Sequence, residues 1–586
     1  MSNEHIVKYK NLSEMPEVVI SSSTMLWNHT GSWRYIRPRY VNKVPPCNQG
    51  CPAGNDIENF VGLIQQGKTE EAFMVLKEEN PFPRTCGRVC YHPCETACNR
   101  ARFDRSVAIN ALERFAGDHA PKNYTIKKQR PDSGKRVAII GSGPCGLAAA
   151  YHLSRLGHSV TVYEKLDRPG GLLRYGIPEY RLPKDVLDSE INDIIKLGVD
   201  IQCRKEVGKD IGWQGLKEFD AVLIATGVHK NKKLGIENET ALGVVAGLEL
   251  LKSIAQKMPL DLGPKTVVIG GGNTAIDAAR CALRLGSEAT ILYHRSRAEM
   301  PAFVDELDEA EKEGVVFNIL SQPVRVITEN GRATGIEMRK TRLGDPDESG
   351  RRRPEPVPDS EFVVPASTIV TAIGESPDLA FLPPDVLLKW GKIIIEKFGL
   401  TKHPGVFAGG DVALAEQNVA VAIGSGKAAS MAIDAYLNGA DINSAAERLV
   451  IGNHGQASMS AYLKTGNAHS NNRSSKMVVP FEDINLNHFE KFERSKIPKL
   501  KLADRKQNFN EVHRGITKSA ALLDANRCFH CGVCTMCDNC FVFCPDISIT
   551  HSPNKWGYDI NYDFCKGCGI CVKECPRSAM IMEDEK

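Results

Sequence analysis

The C-terminal end of the chain carries one cysteine pattern twice, and this repeat constrains the fold more than any other feature. Each copy has three cysteines separated by two residues and then a Cys-Pro pair; the members are Cys534, Cys537, Cys540 and Cys544, then Cys565, Cys568, Cys571 and Cys575. Three closely spaced thiolates and a remote fourth suit a [4Fe–4S] cubane, whereas zinc ribbons use two separated pairs. In this pattern the last cysteine of each run completes the other cluster, so Cys575 is assigned to the first cluster and Cys544 to the second.

The other cysteines and the composition exclude several classes of protein. Of the 19 cysteines, six lie between Cys47 and Cys98 and ten between Cys528 and Cys575, which favours metal in a reducing compartment over secreted disulfides. A net charge of +3 gives no case for nucleic acid or an anionic membrane surface. No apolar run reaches the roughly 18 residues of a membrane span, and the N-terminus lacks a signal-peptide core. A cytoplasmic protein without direct membrane insertion is expected.

A strand–turn–helix–strand unit predicts a first dinucleotide site. A buried-strand run at 135–140 leads into a turn of the form GxGxxG, and the strand after the next helix ends in an acid; the candidate residues are Gly141, Gly143, Pro144, Gly146 and Glu164. The glycines permit a tight turn, close approach of a pyrophosphate and helix packing, while the acid meets a ribose hydroxyl. The helix N-terminus favours the phosphates.

A second unit of the same kind follows. The strand 265–269 precedes a GxGxxA turn that contains Gly270, Gly272, Asn273 and Thr274. Where an NAD site places an acid, this unit has Arg295 and Arg297, which favour the 2′-phosphate of NADPH. The alternative is that both arginines are solvated and the site accepts either NADP(H) or NAD(H).

The two units are expected to be nested. Strands that end in Ala225-Thr226-Gly227 and in Ala372-Ile373-Gly374 are typical of points where a chain crosses between two such domains, and Gly374 is a candidate cofactor contact. The run 407–411 resembles the flavoprotein motif whose aspartate, here Asp411, binds FAD. We therefore expect an FAD domain over residues 126–245 and 375–445, with an NAD(P) domain over 246–374 inserted in it.

The segment 170–183 indicates which family of flavoproteins the chain resembles. It resembles the small (beta) subunit of glutamate synthase and the flavin-binding part of dihydropyrimidine dehydrogenase, in which this stretch lines the isoalloxazine; Gly171, Leu172 and Arg181 are the corresponding candidates. No CxxC lies between Glu164 and Asp411, so the redox dithiol of thioredoxin-reductase-like proteins is missing. The resemblance implies that the flavin exchanges electrons with iron–sulfur clusters.

The N-terminal cysteines resemble the helical two-cluster domain of the same family, expected over residues 1–125. The resemblance implies that Cys51, Cys90 and Cys94 hold one [4Fe–4S] cluster with Glu113 as a non-cysteine fourth ligand, while Cys86 is structural. The alternative for Glu113 is an ordinary glutamate on a helix surface.

The second N-terminal cluster departs from the family pattern. Cys47 and Cys98 supply half of it, but the CxxC that normally precedes them is absent. A segment that resembles the missing piece stands instead at 508–531 and ends in Cys528 and Cys531. Our hypothesis is that these four cysteines share one cluster; the alternatives are zinc at Cys528 and Cys531, or a shifted register of the C-terminal motif. Residues 446–515 are expected to be a linker and 516–586 a bacterial-type ferredoxin domain of α+β fold.

The whole chain is therefore interpreted as a multidomain α/β electron-transfer protein. NAD(P)H delivers two electrons and each cubane takes one, so FAD is expected to stand between NAD(P)H and about four [4Fe–4S] clusters. No constellation of catalytic acids and bases is visible, so no catalytic side chain is predicted. The resemblance implies a subunit that works with a catalytic oxidoreductase subunit or a ferredoxin-like carrier, as in 2-oxoacid or phenylglyoxylate dehydrogenase and NADPH:Fe(III) reductase complexes. The alternatives are a glutamate synthase small subunit and a free-standing NADPH:ferredoxin oxidoreductase or transhydrogenase, with or without bifurcation at the flavin.

Overall fold

The computed structural model describes residues 10–14, 29–121, 123–347, 350–464, 476–554 and 556–585. The chain forms two compact units. The larger comprises residues 46–474 and 491–528, and the smaller comprises 1–45, 475–490 and 529–586. Among the described residues, no helix is both long and apolar enough to cross a membrane.

Short helices open the larger unit. They are α1 (Pro46–Gln49), α2 (Ile57–Gln65), α3 (Thr69–Glu79), α4 (Pro83–Val89), α5 (Pro93–Thr96) and α6 (Ile109–Asp118). Phe60, Phe73 and Leu112 are fully buried between them. Gly87 lets α4 cross α6 closely, since a Cβ there would stand 2.6 Å from the backbone nitrogen of Arg114. These helices and the segments between them place the N-terminal cysteines around one core.

The predicted FAD domain has a five-stranded parallel sheet. Its elements are β2 (Arg136–Ile140), α7 (Pro144–Arg155), β3 (Ser159–Glu164), α8 (Leu172–Tyr175), α9 (Lys184–Ile195), β4 (Asp200–Cys203) and β5 (Ala221–Ile224), with β18 (Val406–Ala408) and α13 (Val419–Leu437) added after the insertion. The strand order is β18-β5-β2-β3-β4. Because β2 is central and flanked by β3 and β5, its turn lies at the carboxyl edge where a dinucleotide binds.

The inserted domain repeats this plan. It contains β7 (Val244–Ala246), α10 (Gly247–Ala255), β8 (Lys265–Ile269), α11 (Asn273–Arg284), β9 (Glu288–Tyr293), α12 (Val304–Glu313), β10 (Val316–Ile319) and β14 (Thr368–Thr371), with strand order β10-β9-β8-β14-β7. An antiparallel sheet of β11 (Ser321–Glu329), β12 (Arg332–Pro346) and β13 (Arg352–Pro365) packs beside it. The two crossings between domains pair as β6 (Lys230–Asn231) with β15 (Glu375–Ser376).

The remaining elements are short. They are β16 (Leu388–Lys389), β17 (Lys392–Ile393), α14 (Ala446–Leu449), α15 (Met459–Leu463), α16 (Leu502–Arg505) and α17 (Lys518–Asn526), and the 3-10 helices Leu12–Glu14, Thr30–Trp33, Asn99–Arg102, Trp213–Glu218, Arg297–Glu299, Lys397–Gly399, Gly410–Val412, Ile442–Ala445, Phe481–Asp483 and Leu486–His488.

The smaller unit is built round the cysteine repeat. It contains β1 (Ile36–Tyr40), α18 (Asn539–Val542), β19 (Ile549–His551), β20 (Tyr558–Ile560), α19 (Ile570–Glu574) and β21 (Met580–Asp584). β19 pairs with β20, and β1 pairs antiparallel with β21. The N-terminal strand therefore belongs with the ferredoxin domain, which differs from the predicted boundary at residue 1 of the helical domain.

The polar stretch 446–515 is folded where the structure describes it, which differs from the predicted linker; residues 465–475 lie outside the described part. Ser458 and Ser460 bond the buried carboxylate of Glu79, and Arg505 pairs with Glu309 on α12. The polar composition suggested a linker on the surface, but these hydroxyl groups and this guanidinium bond buried carboxylates. That pairing could not be read from composition.

Candidate functional site

One cavity of about 490 Å³ joins the carboxyl edges of both sheets in the larger unit. It contains ten of the sixteen predicted dinucleotide-site residues, namely Gly141, Gly143, Pro144, Glu164, Gly171, Leu172, Arg181, Asn273, Thr274 and Asp411. A volume of several hundred Å³ is usual for a cofactor site. The cavity therefore brings the two predicted nucleotide turns into one space.

The first turn is shaped for a pyrophosphate. Gly141 has φ +104°, and a Cβ there would stand 2.5 Å from the carbonyl oxygen of Ala225, so only glycine fits. Gly143 has open space at its Cβ position and leads into the N-terminus of α7. Gly146 packs against the carbonyl of Gly141, as a helix-packing glycine does. The open Gly143 backbone and the helix terminus fit a bound phosphate.

Glu164 lies at the end of β3, buried at the cavity wall. Its carboxylate accepts from Ser142 N at 3.1 Å and Ser142 Oγ at 2.5 Å, and from Leu166 N at 2.8 Å. These bonds fix its orientation towards the first turn. The placement suits a ribose contact, although that role stays a prediction.

The loop 170–178 closes over the first turn. Gly171 has φ +53°, and a Cβ there would meet Gly143 Cα at 2.7 Å. Lys184 Nζ donates to the carbonyls of Leu173 and Ile177 at 3.0 and 2.6 Å. Burial lowers the pKa of Lys184 to about 7. Nothing in the local sequence pattern indicated that this lysine holds the loop.

Arg181 reaches across to the nicotinamide side. Its Nη1 donates to Asp277 Oδ2 at 2.7 Å, and its Nε lies 3.4 Å from Glu306 Oε1. Tyr180 Oη donates to the other oxygen of Asp277 at 2.9 Å. The sequence did not predict Asp277 as a site residue. It lies inside α11, and only the folded chain brings it to Arg181.

Asp411 lines the cavity at the start of the 3-10 helix Gly410–Val412. Burial raises the pKa of its carboxyl to about 6; Lys392 opposes the rise and Glu375 adds to it. Gly410 N donates to Ser425 Oγ at 3.0 Å, which anchors this turn on α13. A buried acid at this point can accept hydrogen bonds from hydroxyl groups of a ligand.

The second turn brings Asn273 and Thr274 to the cavity. Gly270 packs against the carbonyl of Ala372, and Gly272 has open space at its Cβ position. Asn273 Oδ1 accepts from Phe303 N at 3.2 Å. Phe303 stacks on Tyr91 with ring centroids 5.3 Å apart, and both rings line the cavity. No motif pointed to this aromatic pair, which joins the helical domain to the NAD(P) domain.

Arg295 and Arg297 follow β9, whose end lies beside that of β8. Arg295 Nη2 pairs with Asp347 at 2.5 Å, and Arg297 pairs with Asp308 at 2.7 Å. Within the described part of the chain, no group forms a hydrogen bond with the buried Nε of Arg295. Gly374, at the other crossing, has φ +102° and accepts from Lys232 N at 3.1 Å. These three predicted contacts stand outside the walls of the cavity that the described residues form.

A second, small cavity lies among the N-terminal helices. Its walls include Cys51, Cys90, Cys94 and Glu113, and also Cys86. Glu113 Oε1 accepts from Asn55 Nδ2 at 2.9 Å, and burial raises the pKa of Glu113 to about 8. Glu113 is thus a buried acid in the cavity and not a surface residue of α6. Four thiols and a carboxyl therefore surround one cavity, which provides enough donors for the four iron atoms of a [4Fe–4S] cluster.

Cys90 belongs to both cavities. It lines the dinucleotide cavity with Val89 and Tyr91, and it lines the small cavity with the other cysteines. Cys90 is therefore common to the walls of the predicted flavin site and the predicted cluster site.

The smaller unit contains two further thiol-lined cavities. The walls of one include Cys534, Cys537, Cys540 and Cys575, and those of the other include Cys544, Cys565, Cys568 and Cys571. The structure thus groups the eight cysteines in the two sets assigned from the sequence. Among the described residues, no three His, Cys, Asp or Glu side chains converge on a site for a metal ion. The thiols of a cubane stand apart, because they surround a core of four irons and four sulfides.

The cysteines of the fourth predicted cluster are divided between the units. Cys47, Cys98 and Cys528 pack on the core of the larger unit, and Cys531 is part of the smaller unit. The segment before Cys528 is seated in the helical domain, because buried Asp524 accepts from Ala108 N at 2.8 Å and Arg527 Nη2 pairs with Asp104 at 2.9 Å. The sharing of one cluster stays a prediction.

Comparison with known proteins gives three family matches. Residues 134–429 match the model of pyridine nucleotide-disulphide oxidoreductases, residues 40–125 that of dihydropyrimidine dehydrogenase domain II with a 4Fe-4S cluster, and residues 558–581 that of 4Fe-4S binding domains. The resemblance drawn from the sequence, the fold class and the cofactor classes FAD, NAD(P)H and [4Fe–4S] are thereby confirmed.

Individual relatives extend these matches. The chain is 37% identical to the NADP(+)-dependent formate dehydrogenase subunit beta of Moorella thermoacetica, over 83% of this chain and 70% of that one. It is 37% identical to the NADPH-Fe(3+) oxidoreductase subunit beta of Geobacter sulfurreducens, over 84% and 76%. It is 34% identical to the glutamate synthase [NADPH] small chain of Escherichia coli, over 67% and 89%. A solved structure of Mycobacterium tuberculosis FprA with NADPH aligns at a TM-score of 0.46 and 19% identity, over 54% of this chain and 87% of that one.

Proposed function

This chain belongs to the pyridine nucleotide-disulphide oxidoreductase family, and from that premise we propose that it is the subunit through which NADPH exchanges electrons with one particular partner, a catalytic oxidoreductase subunit. The relatives and the domain matches show electron transfer between NAD(P)H, FAD and [4Fe–4S] clusters. We propose three further points: the nucleotide is NADPH, the electrons pass by Cys90, and the partner is a catalytic oxidoreductase subunit.

The position of Cys90 in both cavities carries the proposed route. FAD, when bound, accepts a hydride's electron pair and releases electrons singly. The protein binds the two dinucleotides through its two glycine turns and holds the thiol of Cys90 at the wall of the flavin cavity. Cys51, Cys90, Cys94 and Glu113, whose side chains share the small cavity, would hold the [4Fe–4S] cluster that accepts single electrons beside the flavin.

Positioning of the nucleotide also uses the inter-domain ion pair. Arg181 and Asp277 both line the cavity, one from each nucleotide domain. Because Tyr180 and Arg181 bond opposite oxygens of one carboxylate, they fix the flavin-side loop against α11. A fixed distance between the two turns is what a hydride transfer between stacked rings requires.

NADPH is proposed as the nucleotide on account of Arg295 and Arg297. Both follow the strand next to the second glycine turn, where a 2′-phosphate lies in NADP sites. Their present acidic partners, Asp347 and Asp308, would be exchanged for the phosphate on binding.

A partner subunit is proposed from the domain content. The formate dehydrogenase and iron-reductase relatives match more than four fifths of the chain, whereas the glutamate synthase small chain matches 67%. The C-terminal cysteine repeat, which the model of 4Fe-4S binding domains matches over residues 558–581, also favours a module of the former kind over a glutamate synthase small subunit. A cytoplasmic location, expected from the clustered cysteines, is part of the same proposal.

Anaerobic purification followed by rapid mixing with NADPH tests the route. We expect a coloured protein whose flavin absorbance falls first and whose cluster absorbance follows. In Cys90→Ala the flavin should still be reduced while reduction of the clusters slows at least tenfold; Cys203→Ala, a cysteine of β4, is the matched control and should behave as the parent. Equal cluster reduction in parent and Cys90→Ala contradicts the route.

Purification of the tagged native protein tests the partner. Stable co-purification with a larger oxidoreductase subunit supports the proposal. A protein that purifies alone and reduces added ferredoxin or a dye at full rate supports the free-standing enzyme instead.

A further inference from the structure

In both halves of the cysteine repeat, a backbone N–H donates a hydrogen bond to the sulfur of the last cysteine. Ser548 N donates to Cys544 Sγ at 3.3 Å, and Ala579 N donates to Cys575 Sγ at 3.3 Å. Each donor stands four positions after the cysteine to which it donates. Backbone hydrogen bonding is therefore matched between the two thiol-lined cavities.

The side chains at these equivalent positions differ. Ser548 Oγ lies 3.2 Å from Cys544 Sγ, so its hydroxyl can donate to that sulfur once the cysteine is a thiolate ligand. Ala579 has no hydroxyl to offer Cys575. The sulfur of Cys544 can therefore accept a hydrogen bond from the hydroxyl of Ser548. The sulfur of Cys575 receives no such bond from residue 579, which is alanine.

Tyr40 supplies a hydroxyl to the other cavity from outside the repeat. Its Oη donates to Cys540 Sγ at 3.0 Å, and its ring forms part of the wall of the cavity with Cys534, Cys537, Cys540 and Cys575. Pairing of β1 with β21 sets Tyr40 opposite Met580, and the Tyr558 ring stacks at 5.9 Å. The hydroxyl is therefore held at the sulfur by a strand pair and an aromatic contact.

Hydrogen bonds to cluster thiolates raise the reduction potential, because they stabilise the additional negative charge of the reduced cluster. We propose that Tyr40 sets the potential of the cluster held by Cys534, Cys537, Cys540 and Cys575, and that Ser548 does the same for the cluster held by Cys544, Cys565, Cys568 and Cys571. The inference rests on the proposed function in that both clusters must be present.

The charged groups around the two cavities differ as well. Arg577 lines the first cavity, and Asp546 lines the second while pairing with Lys566 at 3.1 Å. For this reason the test compares each cluster with itself before and after a substitution, and not the two clusters with one another.

Redox titration of the full chain, followed by electron paramagnetic resonance under anaerobic conditions, tests the inference. Y40F should move the midpoint of one cluster to a more negative potential and leave the second unmoved, and S548A should move the second and leave the first. A579S, which adds a hydroxyl beside Cys575, should move the first cluster in the positive direction. Y35F is the control, because the Tyr35 side chain is exposed just before β1, so neither midpoint should shift.

The outcomes separate the inference from the function on which it rests. A parent protein without [4Fe–4S] signals overturns the proposed function. Full iron content and normal signals in Y40F and S548A, with unshifted midpoints or with both variants shifting the same cluster, overturn the roles of Tyr40 and Ser548 alone.

Discussion

Arg181 Nη1 donates to Asp277 Oδ2 over 2.7 Å, and this ion pair ties the segment that follows the loop 170–178 to α11 of the predicted NAD(P) domain. Burial raises the pKa of Asp277, and Arg181 opposes that rise. The two charges are almost fully withdrawn from water, so each depends on the other.

Asp277→Asn is expected to lower the free energy of unfolding by about 3 kcal/mol, because it leaves a buried guanidinium with a weaker partner. Flavin reduction by NADPH should slow while the FAD content stays unchanged. Denaturant unfolding and rapid mixing measure the two effects. The exposed pair Arg339–Glu361 is the control, and Arg339→Gln should leave the free energy of unfolding nearly unchanged, because water already screens this pair. Equal losses in both variants would contradict the importance of the buried pair.

Asp411 gives the FAD-free protein a pH dependence. Its folded-state pKa, raised from 3.8 to about 6, favours the protonated acid, so this contribution to stability is present below about pH 4 and is lost as the pH rises through 6. Asp411→Asn removes the loss and should make the FAD-free protein more stable above pH 6, by at most about 3 kcal/mol. Urea unfolding at pH 5 and pH 7.5 should show a gain that grows with pH by about 1 kcal/mol. The same variant should retain less FAD; a gain independent of pH counts against this assignment.

Glu113 and Cys86 both face the small cavity, and only one is proposed as a ligand. Glu113→Ala should lose the iron of that cluster or change its paramagnetic signal, since the fourth donor is removed. Cys86→Ser, in the same cavity, should keep the iron content and signal of the parent. Iron analysis with paramagnetic resonance decides between them, and the reverse result would make Cys86 the ligand.

Arg295 and Arg297 should govern the choice of nucleotide. Arg295→Ala and Arg297→Ala are each expected to raise the KM for NADPH about tenfold or more and leave the KM for NADH nearly unchanged, because only NADPH carries the 2′-phosphate. Steady-state dye reduction with both nucleotides measures this. Arg342→Ala, in an exposed pair with Glu355, is the control. A parallel rise for both nucleotides would assign the arginines a structural role.

Cys528→Ser tests the displaced segment. If Cys528 shares a cluster with Cys47 and Cys98, then Cys528→Ser and Cys47→Ser should lose the same amount of iron and the same paramagnetic signal. Cys281→Ala, a buried cysteine of α11, should lose neither. An iron loss in Cys528→Ser with a silent Cys47→Ser rejects the sharing of a cluster.

Much of the cofactor site is local in sequence, and for that reason it was predictable. A glycine turn, the helix that follows it and the acid at the end of the next strand are close along the chain, so Gly141, Gly143 and Glu164 could be placed before the fold was known. The C-terminal repeat was predictable for the same reason. Cys534, Cys537 and Cys540 are so close along the chain that their spacing alone indicates a [4Fe–4S] cluster.

Contacts between distant segments were decided by the tertiary structure. Composition identified 446–515 as a polar stretch, but only the fold shows Ser458 on Glu79 and Arg505 on Glu309. The position of Cys90 between two cavities and the strand that brings Tyr40 to Cys540 likewise join residues far apart in the chain. By itself the sequence determined the cofactor classes, since those motifs are short-range. The relative placement of the motifs came from the packing of strands and helices, which no local spacing encodes.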